Sequence, residues 1–379
     1  MSALDERLLG DGDALAAADP SGVLVALAGG GAQVRRAAEL AHDSALSAWT
    51  PDERPRSVVV VARGGSAVVA DAVAALIGAA GPVPVVPRTG GRLPAWVGAL
   101  DLVVAVSLSG RAEQAVALAV EAGRRGARLL TVGAASSPLA EACEQARGVH
   151  VPLPEAGREA TSAPTSRTAL WSLLVPPLVA CEQLGLLPET SSGLEQVATR
   201  LEEEAESCRP SSEVFTNPAK SLALELAGNV PVLLGDGATM AVVARRAASV
   251  LARTARVPAV HGSLPDDAGE VVATFGGDFA ATSEADVFAD PFTDGPPAPK
   301  MRLVLLSTGE ASAGAEVVRS IAERAGVRTS DVVADDGPRL VALAQLLART
   351  DFAATYLALG SGFDPAISPH VADLRDALR

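Results

Sequence analysis

The sequence predicts an α/β protein of two domains, each a mainly parallel sheet flanked by helices in three layers. Three observations predict it. Short Val-rich runs alternate with Ala-rich helical stretches from residue 56 onward, strands ending in Gly and hydroxyl residues lead straight into helices, and the pattern restarts after residue 217. Short apolar strands separated by helices require crossover connections, and a sheet covered by helices on both faces is apolar on both.

Taken in order, residues 1–50 read as helices around an acidic, Gly-rich joint, with Ala32–Ala48 the longest helical pattern. Val58–Val61, Val83–Val86, Leu102–Val106, Leu129–Val132 and Val149–Val151 read as strands bounded by Gly, Pro or Asp. Ala67–Ile77, Ala112–Ala122 and Pro138–Gln145 are the helices between them. Glu155–Ser166 is a break rich in Gly, Thr, Ser and Pro, followed by helical stretches at Ser166–Leu184 and Ser191–Ser207. Asn217-Pro218 opens a helix to Ala227, with asparagine as cap and proline in the first turn. Val230–Leu234 then runs through Gly235-Asp236-Gly237-Ala238 into a helix over Met240–Ala255, and Leu303–Leu306 runs through Ser307-Thr308-Gly309 into one over Ala313–Ala325. Asp278–Pro299 reads as a surface loop. The expected organisation is N-terminal helices (1–50), a first α/β domain (51–187), a helical linker (188–216) and a second α/β domain (217–379), the two domains related by a worn duplication.

At 379 residues the chain can bury two cores, and 49% hydrophobic with 20% charged residues marks it as globular. A net charge of −14 argues against a nucleic-acid surface, which needs a basic stripe. The most apolar segment, Leu170–Cys181, is too short for a bilayer and is interrupted by Ser172, Pro176 and Pro177. Asp5, Glu6 and Arg7 stand where an apolar leader would begin, so the expected setting is cytoplasmic, with no membrane partner. Cys143, Cys181 and Cys208 lack metal-ligand spacing and are expected as free buried thiols. The four histidines are scattered, and neither a metal nor a cofactor is expected.

The chemistry concentrates at two corners. Ser107-Leu108-Ser109-Gly110 ends one strand and precedes a helix, and Gly64-Gly65-Ser66 does the same about forty residues earlier. Free N–H groups at a helix start, reinforced by hydroxyls, suit a phosphate, so the pair predicts a phosphorylated small-molecule ligand. Ligands of open parallel sheets sit beyond the carboxyl ends of the strands, where both corners fall. A Gly-Gly-Ser corner also serves simply to turn a chain. Gly235–Ala238 and Ser307–Gly309, poor in serine, read as architectural corners, and Trp96 and Trp171 as packing residues.

With these residues placed, the chain resembles the bacterial and archaeal bifunctional phosphoglucose/phosphomannose isomerases, built from two SIS (sugar isomerase) domains. The resemblance runs from about Ala32 to the C-terminus. It is carried by Gly64-Gly65-Ser66-Ala67, by Leu93-Pro94-Ala95-Trp96-Val97 leading into Leu102–Gly110, and by Asp351-Phe352, Tyr356–Leu359 and Gly362-Phe363-Asp364-Pro365 near the end. It implies that Gly65, Ser66, Ser107, Ser109 and Gly110 hold the sugar phosphate and that Arg167 stands near the sugar's reacting end. It also implies a homodimer.

The chain departs from the family pattern in ways that bear on turnover. The usual Ser-Gly-Asn-Thr-Glu-Glu turn is here Ser109-Gly110-Arg111-Ala112-Glu113-Gln114, which loses one hydroxyl and gains a guanidinium. Aldose–ketose isomerisation needs a base at the C1–C2 proton and an acid to open the ring. The family's glutamate, in Asn-Glu-Asn-Ala-Lys, aligns within Ala252-Arg253-Thr254-Ala255-Arg256, and its Asn-His-Asn-Glu stretch shrinks to Leu264–Glu270. Ala366 replaces a threonine after the final Asp-Pro. Arginine cannot act as the base. The resemblance therefore implies a phosphosugar-binding protein with weak or absent isomerase activity. The alternative is an active hexose 6-phosphate isomerase whose base has moved to Asp266, Asp267 or Glu270, with His261 a further titratable neighbour.

Overall fold

The computed structural model describes residues 4–79, 81–153, 167–187, 190–280 and 299–377. The break Glu155–Ser166 lies outside the described residues, and so does most of the loop Asp278–Pro299. The chain divides into two compact units, residues 28–202 and residues 1–27 with 203–379.

Helices α1 (Glu6–Gly10), α2 (Gly12–Ala18) and α3 (Val23–Ala28) precede α4 (Gly30–His42). Residues 1–50, expected as one helical segment, therefore split between the units. Asp5 N donates to Gly360 O at 2.8 Å, tying the first residues to the C-terminal unit, whereas α4 packs on a helix of the N-terminal unit. The second boundary falls after Glu202, inside the long helix Thr190–Ser207, so the expected linker 188–216 is likewise divided.

The N-terminal unit contains β1 (Val58–Val61), α5 (Ala67–Ile77), β2 (Val85–Arg88), β3 (Leu102–Ser107), α6 (Glu113–Arg124), β4 (Arg128–Ala134), α7 (Pro138–Gln145), β5 (Val149–Leu153), α8 (Leu170–Gln183) and the start of α9 (Thr190–Ser207). Its sheet is parallel throughout, in the order β2-β1-β3-β4-β5. Alternation along each strand sorts the side chains between the two faces. Val59, Val61, Val103, Ala105 and Leu129 pack against Ala115, Leu118, Ala119, Ala122 and Leu139 of α6 and α7. On the other face α8 lies against β3 and β4 and packs on α5 and α4. Full burial explains why α8 is apolar from Leu170 to Cys181 despite Pro176 and Pro177.

The C-terminal unit contains α10 (Pro218–Leu226), β6 (Asn229–Asp236), α11 (Ala238–Val250), β7 (Val260–Leu264), α12 (Ala268–Ala273), β8 (Lys300–Thr308), α13 (Ala313–Arg324), β9 (Arg328–Ala334), α14 (Arg339–Gly360) and α15 (Pro369–Ala377). Its parallel sheet runs β7-β6-β8-β9, repeating the order of the first four strands of the other sheet. Asn217 caps α10 as the sequence implies, Oδ1 accepting from Ala219 N and Lys220 N at 3.0 Å each. Arg246 of α11 and Asp351 of α14 form a bidentate pair inside the helix layer, 3% and 7% exposed. All three cysteines are free and buried, and burial pushes the Cys181 thiol up to about 12, so it is not a thiolate nucleophile.

Candidate functional site

In the N-terminal sheet β1 lies between β2 and β3, with Val61 level with both Arg88 and Ala105. The chain leaves β1 for β2 on one side and returns to β3 on the other. The carboxyl ends at such a reversal between adjacent parallel strands are the usual ligand position in sheets of this kind. Both serine corners stand there. Gly64–Ser66 forms a single tight turn into α5, with Gly65 and Ser66 buried, and Ser107–Arg111 connects β3 to α6 with Ser107 buried and Ser109 exposed.

Neither helix is closed by its own side chains. Ser66 at the start of α5 and Ala112 at the start of α6 make no capping hydrogen bond, whereas Ser137 caps neighbouring α7 through Ala140 N at 3.3 Å. The first-turn N–H groups of α5 and α6 thus lack a capping side-chain acceptor, and the helix dipole favours an anion beside them.

The second corner is held in shape by its own backbone. Gly110 N donates to Ser107 O at 2.9 Å, Ala134 N to Leu108 O at 3.1 Å and Leu139 N to Gly110 O at 3.1 Å. Ser109 Oγ accepts from Arg111 N at 3.3 Å, which leaves the hydroxyl proton available for a ligand oxygen. Gly110 has φ +63° and touches the α7 cap so closely that an added Cβ would lie 2.1 Å from Ser137 Oγ. Gly133 is needed for a similar reason, since its Cβ would meet Ser107 O at 2.2 Å. The turn is therefore a fixed cradle fitted against β4.

Charge distinguishes the two sheets. The carboxyl ends of β1, β2 and β3 and the turns directly after them carry Arg63, Arg88, Arg92 and Arg111, and the carboxylate of the β2–β3 loop, Asp101, stands at the start of β3 and is paired with Arg56. The guanidinium of Arg111 is exposed and makes no hydrogen bond or ion pair among the described residues. The equivalent loops of the C-terminal sheet carry Asp236, Asp266, Asp267, Glu310, Asp335 and Asp336 and no Lys or Arg. At the matching β6/β8 position Asp236 Oδ2 accepts from Ser312 N at 2.8 Å, so a carboxylate already occupies the place an anion would take. Gly235–Ala238 and Ser307–Gly309 turn the chain at the corresponding corners of the second sheet.

The remaining residues singled out from sequence are spread over both units. Arg167 sits half-buried in a turn before α8, and the adjacent Thr168 O accepts from Gln33 Nε2 of α4 at 2.8 Å. Asp267 Oδ2 accepts from Ser263 N at 2.7 Å and Ser263 Oγ at 3.2 Å, tying it into the turn after β7. Asp266, Glu270 and His261 are exposed. Arg253 lies in a π-helical turn, Leu251–Ala255, that ends α11, and its carbonyl accepts from Ser368 Oγ at 2.7 Å. Arg256, just beyond that turn, is left-handed at φ +60° and stacks on Phe363 at 4.0 Å. Of the two tryptophans expected to pack, Trp171 is buried and Trp96 is 46% exposed. Among the described residues no group of three or more His, Cys, Asp or Glu is arranged to hold a metal ion.

The SIS domain model matches residues 53–187, and the model of the bacterial phospho-glucose isomerase C-terminal SIS domain matches residues 215–378. The chain is a divergent member of the two-SIS-domain phosphoglucose/phosphomannose isomerase family. It is 25% identical over 227 residues to the bifunctional phosphoglucose/phosphomannose isomerase of Caldicellulosiruptor bescii, an alignment covering 60% of this chain and 64% of that relative, just under two thirds of its length. A hypothetical protein from Thermus thermophilus superposes with a TM-score of 0.66 at 15% identity, covering 98% of this chain and 94% of that one. A glucose-6-phosphate isomerase like protein from the same organism gives 0.52 at 21% identity, covering 85% and 87%. The C-terminal domain of glucosamine-fructose-6-phosphate aminotransferase from Francisella tularensis gives 0.60 at 12% identity, covering 90% and 97%. At these identities the solved structures establish the SIS fold alone.

Proposed function

We propose that the chain binds a hexose phosphate in its N-terminal SIS domain and turns it over slowly or not at all. The observation that carries the binding is the pair of uncapped strand–turn–helix corners at the carboxyl ends of the neighbouring strands β1 and β3. Gly65, Ser66, Ser107, Ser109 and Gly110 supply the N–H and hydroxyl donors for the phosphate, and Arg167 contacts the sugar. Arg111 replaces the hydroxyl lost at Ala112 with a charge-assisted bond. Isomerisation would need a carboxylate at the sugar's C1–C2 edge, yet Arg253 stands where the family's glutamate is expected, and Asp267 is engaged by Ser263. The reading carries with it a homodimer in the cytoplasm. No helix among the described residues is long and apolar enough to cross a membrane, in keeping with a water-borne ligand.

Thermal denaturation with glucose 6-phosphate, mannose 6-phosphate and fructose 6-phosphate tests the binding. A ligand at a hundred times its Kd adds about 2.7 kcal/mol, a rise of roughly 5–11 °C in Tm for a unit of this size. Ser107→Ala should weaken binding of the stabilising sugar by about tenfold or more, the worth of a hydrogen bond to a charged group. No shift with any of the three sugars would refute the proposal. A coupled isomerase assay addresses turnover: a robust rate abolished by replacing Asp266, Asp267 and Glu270 would establish the relocated base instead.

A further inference from the structure

We propose that the site prefers a phosphosugar with a second anionic group on its carbon chain, received by Arg63 and Arg88. This rests on the phosphosugar reading above and adds a ligand class to it. Val61 pairs with Arg88 on one side and Ala105 on the other, and paired residues of parallel strands present their side chains to the same face. Val61 and Ala105 belong to the core beneath α6, and Val86, two residues before Arg88, packs on that core. Arg88 therefore rises on the face that carries Ser107, separated from it by the width of β1, about 10 Å between flanking strands.

The loop after β2 folds over this face. Gly90 approaches Gln114 in the first turn of α6 closely enough that a Cβ would lie 3.5 Å from its Oε1. Arg88 Nη2 donates to Arg92 O at 3.1 Å within that loop, while Arg88 Nε is buried with no acceptor among the described residues. A buried donor left without a partner calls for an acceptor, which a ligand oxygen would supply. Arg63 opens the β1 corner, and its exposed guanidinium makes no hydrogen bond or ion pair among the described residues. Arg63 at the β1 corner and Arg88 a strand's width from Ser107 thus stand beside the serine corners with no ion-pair partner among the described residues. A neutral sugar ring would leave both unmatched, whereas a carboxylate or second phosphate would match them.

The test is calorimetric titration of the full chain with glucose 6-phosphate, 6-phosphogluconate and fructose 1,6-bisphosphate at one ionic strength. The expected result is binding at least about tenfold tighter for one or both doubly anionic sugars, equivalent to about 1.4 kcal/mol. Preference for the first of these identifies a carboxylate, and for the second a phosphate. Arg63→Ala, at an exposed position, and Arg88→Lys, which keeps the charge but removes the buried donor, should each shrink that gap while glucose 6-phosphate binding stays the same. Equal affinity for all three sugars, or a gap that survives both substitutions, overturns this proposal and leaves the phosphosugar reading standing. Failure of all three to bind overturns both.

Discussion

Replacing Gly110 by alanine should damage the proposed phosphate cradle and the fold together. At φ +63° a Cβ costs about 1–2 kcal/mol in backbone strain. The same Cβ would sit 2.1 Å from Ser137 Oγ and 2.4 Å from Ser137 Cβ, so Ser137 must move and surrender the cap on α7. Losing such a cap costs about 1 kcal/mol, which brings the expected destabilisation to roughly 2–3 kcal/mol before any wider shift. For a unit of this size that corresponds to a fall of roughly 4–12 °C in Tm. Because Leu139 N is bonded to Gly110 O, the displacement also moves the Ser107–Ser109 hydroxyls, so the stabilisation given by a hexose phosphate should fall beyond the loss of Tm. Differential scanning calorimetry of Gly110→Ala and of Gly110→Ala/Ser137→Gly, with and without glucose 6-phosphate, measures both. The double variant removes the collision but not the φ strain, so it should recover part of the loss, a non-additive outcome for residues in contact. A Gly110→Ala protein with unchanged Tm and unchanged ligand response would refute the account of the cradle.

Two further outcomes follow from the packing. Arg246→Ala strands the Asp351 carboxylate inside the helix layer and should cost about 3–5 kcal/mol in chemical denaturation, while an apolar replacement of both partners should recover most of it. Burial lowers the pKa of His150, whose Nδ1 is 2.7 Å from Thr131 Oγ1, so the unfolded chain takes up a proton at a pH where the folded chain does not. Stability contributed by neutral His150 is complete above the unfolded value of about 6.5 and is lost as pH falls below it. Melting curves between pH 7.5 and 5 should show this decline, and His150→Gln should flatten it.

The elements legible in the sequence are those buried on both sides. Val58–Val61 and Leu102–Ser107 are central strands whose every residue is buried, so each reads as an uninterrupted apolar run. β7 and β9 carry no such signal because both are edges: Val260 and His261 are exposed, and Arg328, Asp331 and Val333 alternate with buried neighbours. Periodicity also fails for α14, which is buried almost all round and so lacks a polar stripe. Only the resemblance near Asp351–Leu359 marked it. The expected segments 1–50 and 188–216 divide between the units because their partners, Gly360 for Asp5 and α8 for α4, are remote in the chain.

The serine corners could be found from order alone, since strand, glycine, hydroxyl and helix follow one another without a gap. Arg63 and Arg88 could not, because they are neighbours only through the pairing of β1 with β2. Unpaired arginines beside strand ends, in a chain with an excess of acid, were the signal that could have found them.

Local chemistry written along the chain determined the α/β class, the central strands, the asparagine cap of α10 and the two hydroxyl corners. Tertiary structure alone decided that Gly110 must fit against Ser137, that Asp236 fills the matching position of the second sheet, and that Arg88 shares a face with Ser107. The reason is physical: propensity and capping act over a few consecutive residues, whereas close approach and charge pairing depend on which distant segments a register brings side by side.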